Sequence, residues 1–406
     1  MGFFMTQTTF GRRGVAPRIS PYRSAAPVVT PEPSTELLFD NSERLMGALP
    51  VFTAGIILLL WVFFALEKSF AFDVGKGVQM SARSLTALGA ASRELVIGQH
   101  QFWRLFLAPL MHNGVAHIFG NSIALALLGY FLEIRVGRGW FLAVFFLSAL
   151  TGGLGSMIGN PPEVVTVGAS GAISGLLGAV FVLSFHVAFD REQNRAMRRM
   201  ALRFAVPALA PLLYGAHGHT DYYAHLGGAI GGALLGLFLL ANWSGESYRP
   251  AHGKIMGAIA AMFLVGSIIG VGFVVKDYAR SKAESDQFIP LTRMPEKFDA
   301  AAKDAPSLLR RYPNDPRSHL FAAQAAIRSG DGFAAERELR SALTLSTEQN
   351  NRPLRFLAKA FLAGLYADRH DWRQTNEYAA EICDKSNSAP EAGELRRLLV
   401  KSNICS

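Results

Sequence analysis

Seven apolar runs, at roughly 47–66, 113–132, 140–158, 168–186, 200–216, 223–241 and 255–275, narrow the folds open to this chain more than any other feature. Most approach the ~20 residues that a helix needs to cross a bilayer. Lipid cannot hydrogen-bond the backbone, so a spanning segment must satisfy its own polar groups as a helix or within a closed barrel. The fifth run is the weakest, with Arg203 near one end and Pro207 and Pro211 inside it. An arginine there can snorkel to the interface, and a buried span tolerates proline. After residue 275 charges return, interleaved with alanine and leucine at helical spacing. The expected architecture is all-α: a polytopic membrane helix bundle of six core helices plus a seventh transmembrane helix, with a C-terminal soluble helical-repeat domain. The expected divisions are a tail at 1–46, a core at 47–241, a loop and seventh span at 242–289, and a soluble domain at 290–406.

The formal net charge of +9 does not point to nucleic acid, because the arginines sit where membrane topology would put them. Arg191, Arg195, Arg198, Arg199 and Arg203 cluster between the fourth and fifth runs, and Arg135 and Arg138 between the second and third. Arg12, Arg13, Arg18, Arg23 and Arg44 precede the first. Under the positive-inside rule these stretches face the cytoplasm. The loops at 67–112, 159–167 and 217–222 then face outward, as does everything after residue 275. Residues 1–31 carry four arginines and no acid, as a transit peptide would. Pro17, Pro21, Pro27, Pro31 and Pro33 would break its helix, and no apolar stretch before residue 47 suits a cleaved signal. A disordered cytosolic tail is expected instead, on a multi-pass protein of a bacterial inner membrane.

Polar side chains inside spans are costly, so each is a functional candidate. The second run opens HNGVAHIFGNSIAL, with His117 and Asn121 four apart and so on one helix face. The fourth starts with Gly168, Ser170 and Gly171, and the sixth reads YYAHLGGAIGGALLG with His225 one turn inside. The topology puts all of these at one side of the membrane. Small-xxx-small faces, Gly171 with Gly175 and Gly227, Gly228, Gly231 and Gly232, would let the two helices approach closely. A serine hydroxyl becomes a nucleophile when a base takes its proton. Spans two, four and six hold no acid to orient the histidine, which suggests a dyad rather than a triad. Oxyanion donors would come from the helix start at Ser170 and from Asn121 and His117. Each group also has a plainer role: serines bond back to their own helix, glycine stripes pack, and a lone histidine relays protons. His186, His217 and His219 have no such companions. No HExxH or CxxC occurs, and His112 and His117 are five apart, so neither a metal nor another cofactor is expected. GASGA lacks the second glycine of G-x-S-x-G.

These residues resemble the rhomboid family of intramembrane serine proteases over roughly 47–241. GASG resembles its nucleophile motif, implying Ser170, and AHLGG its histidine motif, implying His225 as base. HIFGN matches H-x-x-x-N, implying His117 and Asn121 as oxyanion contributors, with His112 structural. Trp103 and Arg104 resemble the Trp-Arg pair of the first outer loop, and Glu133 with Gly137 the E-x-x-x-G stretch. Some members carry an aromatic residue four after the nucleophile, packing on the histidine; here it is Ser174, so the histidine needs another support. The resemblance implies cleavage of transmembrane protein substrates in or near their spanning helix, with membrane lipid as the surroundings. The rivals are an inactive rhomboid-like protein binding transmembrane clients, and a transporter lined by the same polar groups.

A shift of forty residues aligns 321–343 with 361–383, matching Phe321 to Phe361 and Asp331 to Asp371. Stacked helical hairpins are expected, and the first unit resembles a tetratricopeptide repeat, with Ala323, Ala335 and Ala342 at its small positions. Such arrays bind proteins or peptides on a concave face, or simply cover. Cys383 and Cys405 both lie here, as a disulfide or as free thiols.

Overall fold

The computed structural model describes residues 49–405 apart from 76–78, 188, 214–219, 245–246, 248, 295–297 and 388. The expected tail at 1–46, with His217 and His219, lies outside the described residues. The described chain is helical, and its only β pairing among those residues is two isolated antiparallel bridges, Val74 with Met80 and Ala91 with Thr166. The membrane part comprises α1 (Val51–Phe70), α2 (Ala82–Leu88), α3 (Arg104–Leu107), α4 (Val115–Val136), α5 (Arg138–Gly159), α6 (Ser170–Leu183), α7 (Arg191–Leu213), α8 (Tyr222–Asn242) and α9 (Gly253–Ser285). Five of these, α1, α4, α5, α8 and α9, are long and apolar enough to cross a bilayer. The fold is therefore a polytopic helical bundle.

The apolar runs and the helices differ at three places. The run at 168–186 yields only the 14 residues of α6. Gly168, at φ +115°, turns the chain before the helix starts, so the helix begins at Ser170 rather than at the start of the hydrophobic stretch, and it stops at Leu183. Within the run at 200–216, the described residues 200–213 belong to a longer helix, α7, which starts at Arg191 and buries Met197 and Ala201 while Leu202 stays half exposed. The run at 255–275 belongs to the 33-residue α9. At 1.5 Å per residue that helix is about 50 Å long, well beyond a hydrocarbon core of about 30 Å. Its charged end, with Lys276, Asp277, Arg280 and Lys282, is the part that overshoots.

Glycine sets the packing of α6, α8 and α5. A Cβ on Gly228 would overlap the carbonyl oxygen of Gly171, and one on Gly232 that of Gly175. Gly227 stands against Gly155 of α5 in the same way. With no apolar driving force between helices in lipid, close backbone contact is what holds them. Elsewhere the core is bulky: Leu125, Leu128, Trp140, Phe141 and Phe145 are fully buried. Glu133 ties α4 to the start of α1, accepting from Phe52 N at 3.0 Å, Thr53 N at 2.7 Å and Thr53 Oγ1 at 2.8 Å. Those are donors that a helix start leaves without partners of its own.

The extramembrane helices are α10 (Phe298–Arg311), α11 (Pro316–Arg328), α12 (Gly332–Glu348), α13 (Arg352–Asp368), α14 (Trp372–Cys383) and α15 (Pro390–Lys401). Asp315, Asp331, Asn351 and Asp371 cap the starts of α11 to α14, each side chain accepting a backbone N–H of its helix. The aligned pair Asp331 and Asp371 thus does one job twice, and Ala323 and Ala363, also forty apart, are both buried. Cys383 and Cys405 form a disulfide, Cα atoms 5.4 Å apart, fastening the chain end to α14. The join to the membrane part is polar: Leu291 N donates to Asp73 Oδ1 at 2.6 Å, and the Arg83 guanidinium lies 3.3 Å over the Phe288 ring.

Candidate active site

The segment before α6 is fastened on two sides. Thr166 and Ala91 exchange backbone hydrogen bonds of 2.7 and 3.1 Å, and Gly168 N donates to Ala108 O at 3.0 Å. At Gly168 a Cβ would lie 2.7 Å from His117 Cε1, 2.8 Å from His117 Nε2 and 3.5 Å from Asn121 Nδ2. Only glycine accepts both that crowding and the positive φ. The imidazole of His117 and the amide of Asn121 therefore press on the backbone two residues ahead of Ser170. Ser170 is half-buried at the first position of α6, where helix N–H groups lack intrahelical partners.

On the other flank, a Cβ at Gly171 would stand 3.2 Å from Ala224 O, so the chain neighbours of Ser170 and His225 meet. His225 is buried one turn into α8. Its ring meets Tyr222 edge-on, centroids 6.1 Å apart. His117 and His225 are within electrostatic reach of one another. The structure thus gathers Gly168, Ser170, Gly171, His117, Asn121 and His225 at one end of α4, α6 and α8.

His112, fully buried, accepts from Asn121 Nδ2 at Nε2 over 2.9 Å and meets the His117 ring edge-on at 5.1 Å. Its backbone N–H donates to Glu67 Oε2 at 3.0 Å. Trp103 and Arg104 brace the first loop away from these groups. Trp103 stacks on Phe273 of α9 at 5.6 Å, and Arg104 Nη1 donates to Thr86 O and Ala90 O at 2.6 and 2.7 Å. Glu133 lies with α1, as described above. A small cavity borders the centre, lined among others by Ala91, Leu105, Ala108, Gly168, Gly171 and Ala224. Among the described residues no group of three or more His, Cys, Asp or Glu could hold a metal ion.

Three contributors were not singled out from the sequence: Tyr222, Asp221 and Glu67. Tyr222, three residues before His225 on the same helix, supplies the aromatic contact to that histidine, where the sequence offered Ser174 on the other helix. Asp221 was visible as an acid just before a helical run. Glu67 carried no local signal, since its partner is 45 residues away.

A rhomboid domain model matches residues 99–242. Putative rhomboid protease YdcA of Bacillus subtilis (strain 168) is 31% identical over 201 residues, covering 48% of this chain and 92% of that relative. The chain belongs to the rhomboid family. Rhomboid protease GluP of the same bacterium is 30% identical over 239 residues, 58% of this chain. RHOMBOID-like protein 1 of Arabidopsis thaliana is 33% identical over 173 residues, 43% of this chain. The match spans less than half of each of these two, 44% of GluP and 42% of the plant protein. Inactive RHOMBOID-like protein 8 of Arabidopsis thaliana also matches, 29% identical over 176 residues. This rhomboid is a multi-pass integral membrane protein, and its family holds both proteases and at least one protein named inactive.

Proposed function

We propose that this rhomboid is an intramembrane serine endopeptidase that works with Ser170 and His225. The observation that carries the reading is the seating of the Ser170 segment: Gly168 against His117 and Asn121 on one side, Gly171 against the carbonyl before His225 on the other. Ser170 Oγ attacks the substrate carbonyl while His225 takes its proton. The oxyanion is met by the free N–H groups at the α6 start, by the Asn121 amide and by His117, one such donor being worth about 2.7–4 kcal/mol. His225 then returns the proton to the leaving amine, and water releases the acyl group by the same route. The cavity walls, mostly alanine and glycine, suit a small substrate side chain next to the cut bond. A transmembrane substrate would need to unwind there, since a helix hides its carbonyl carbons, and glycine or a helix breaker lowers that cost.

The disulfide between Cys383 and Cys405 favours an oxidising compartment for the C-terminal part. With the arginine distribution, this supports a cytoplasmic N-terminus and an external C-terminus in a bacterial inner membrane. We divide the chain accordingly into a tail at 1–46, a catalytic core at 47–241, a connector at 242–289 and a tetratricopeptide-like domain at 290–406 that recruits a protein or peptide.

Labelling of the detergent-solubilised full chain with a fluorophosphonate tests the dyad. The Ser170 Oγ–P bond forms as P–F breaks, fluoride leaves, and the hydroxyl proton passes to His225. Labelling is expected in the wild type and lost in Ser170→Ala and His225→Ala. A well-folded wild type that does not label would leave the client-binding reading instead.

A further inference from the structure

Asp221 precedes α8 and sits four residues before His225; Thr166 sits four residues before Ser170. These two side chains meet. Asp221 Oδ2 accepts from Thr166 Oγ1 at 2.8 Å and from Ser156 Oγ at 2.6 Å. Its Oδ1 accepts from Asn160 Nδ2 at 2.8 Å and from Ala224 N at 2.9 Å, the latter capping the helix that carries His225. Asn160 also donates to Ser156 Oγ at 2.9 Å, closing the group at the end of α5. One carboxylate therefore receives four donors from three segments: the Ser170 loop, the His225 helix and the end of α5.

Resting on the proposed dyad, we propose that Asp221 is a positioning residue that sets the separation of Ser170 from His225. The argument is geometric. α6 and α8 meet on glycine backbones, and such faces, lacking side chains that interlock, leave α8 free to slide or turn by small amounts against α6. The glycines fix how near the helices come, while Asp221 fixes the depth and rotation of the first turn of α8 relative to the loop. That loop is itself bonded to Ala91 and Ala108, so the frame to which Asp221 ties His225 is braced. The carboxylate touches no reacting atom in this account. Its effect passes through Ala224 N to the histidine and through Thr166 to the serine. Misplacing reacting groups by about 1 Å can cost about a hundredfold in rate.

The chemistry of the group tells the substitutions apart. Asp221→Ala removes all four acceptor contacts. Asp221→Asn keeps an oxygen for Ala224 N and Asn160, and its NH2 can donate to the Ser156 and Thr166 hydroxyls, which rotate to accept. Thr166→Val removes the tie from Asp221 to the Ser170 loop, together with that loop's 2.7 Å contact to Ser156 Oγ, and leaves the cap.

The test follows fluorophosphonate labelling of the full chain in detergent, resolved into the limiting labelling rate and the probe concentration giving half of it, beside thermal melting. For Asp221→Ala the limiting rate is expected to fall about tenfold to a hundredfold, with the half-saturating concentration unchanged within about twofold. Asp221→Asn should recover to within about threefold of wild type. Thr166→Val should fall between, and combining it with Asp221→Ala should add little, since Asp221→Ala already cuts the tie between Asp221 and the Ser170 loop. A wild-type rate in Asp221→Ala, an Asp221→Asn as slow as Asp221→Ala, or fully additive losses would overturn the proposal. If Asp221→Ala does not melt cooperatively, Thr166→Val and Ser156→Ala carry the test, and wild-type rates in both overturn it. Labelling that survives Ser170→Ala sinks the dyad and this proposal together. Labelling that needs Ser170 and ignores Asp221 sinks this proposal alone.

Discussion

The membrane bundle and the extramembrane helices are built from the same secondary structure by opposite means. In the bundle, the decisive contacts around the site are made where side chains are missing: Gly171, Gly175, Gly228 and Gly232 bring two backbones together. In α11 to α14 the contacts are made by side chains. Leu320, Leu339, Phe356 and Leu362 fill the spaces between helices, three aspartates and Asn351 cap their starts, and Glu336 gathers Arg340, Arg369 and Tyr366. The difference follows from the surroundings. Water drives apolar side chains together, whereas lipid tails give helices no such reason to associate, so proximity itself has to be favourable. One region loses stability when its buried side chains are cut back; the other resists growth.

Growth at the glycine seam should break the comparison most sharply. Gly228→Val places side-chain atoms into the Gly171 carbonyl, and about 3 kcal/mol or more of destabilisation is expected, with Ser170 labelling abolished; melting in detergent reads the first and a fluorophosphonate the second. A comparable loss of about 3 kcal/mol is expected from Cys383→Ser, which opens a loop of 22 residues in sequence. This loss should appear only in the melting of the extramembrane helices, with labelling kept, so a parallel loss of labelling would mean that the two regions do not separate as described. Glu133→Ala leaves the buried starts of α1 without acceptors, and about 1–3 kcal/mol is expected from the unmet donors. Glutamine at that position should recover most of it.

The smallest effect concerns acid. The Tyr366 hydroxyl, followed by Arg369 and Arg340, holds the Glu336 carboxyl down at about 2. A carboxyl depressed on folding stabilises above its ordinary range near 4.5, and that contribution drains away as the pH falls from there toward 2. Because the group is partly exposed, Glu336→Gln should cost less than about 1 kcal/mol at neutral pH, and nothing near pH 2. A melting series across that window, with the membrane part as the internal reference, would show whether the C-terminal helices alone respond.

Legibility from sequence divides along the same line. Repeats, capping acids and small buried alanines in α11 to α14 are local patterns, and the forty-residue shift exposed them. So were the i, i+4 pairing of His117 with Asn121 and the glycine faces. Hidden were the facts that depend on where chains stop or meet. Hydropathy extends through 168–186, but it does not register that Gly168 delays the helix until Ser170. Tyr222 gave no local sign of its role, because its edge-on contact with His225 depends on the rotation of α8. Asp221 could be read as a cap; its bonds to Ser156 and Thr166 span 65 and 55 residues, beyond any local pattern. The paired cysteines lay open in sequence, while their approach to 5.4 Å depends on how α15 folds back.

The shortness of α6 has a consequence for distance. Its 14 residues rise about 21 Å, leaving roughly 9 Å of a 30 Å hydrocarbon layer unspanned. Ser170 stands at the end of that shortfall, so the bilayer surface and the Ser170 hydroxyl are held at a set vertical offset. If Ser170 is the nucleophile proposed above, that offset works as a ruler for any chain lying alongside: what it measures off is a depth, and a bond of suitable chemistry at another depth would pass the serine by.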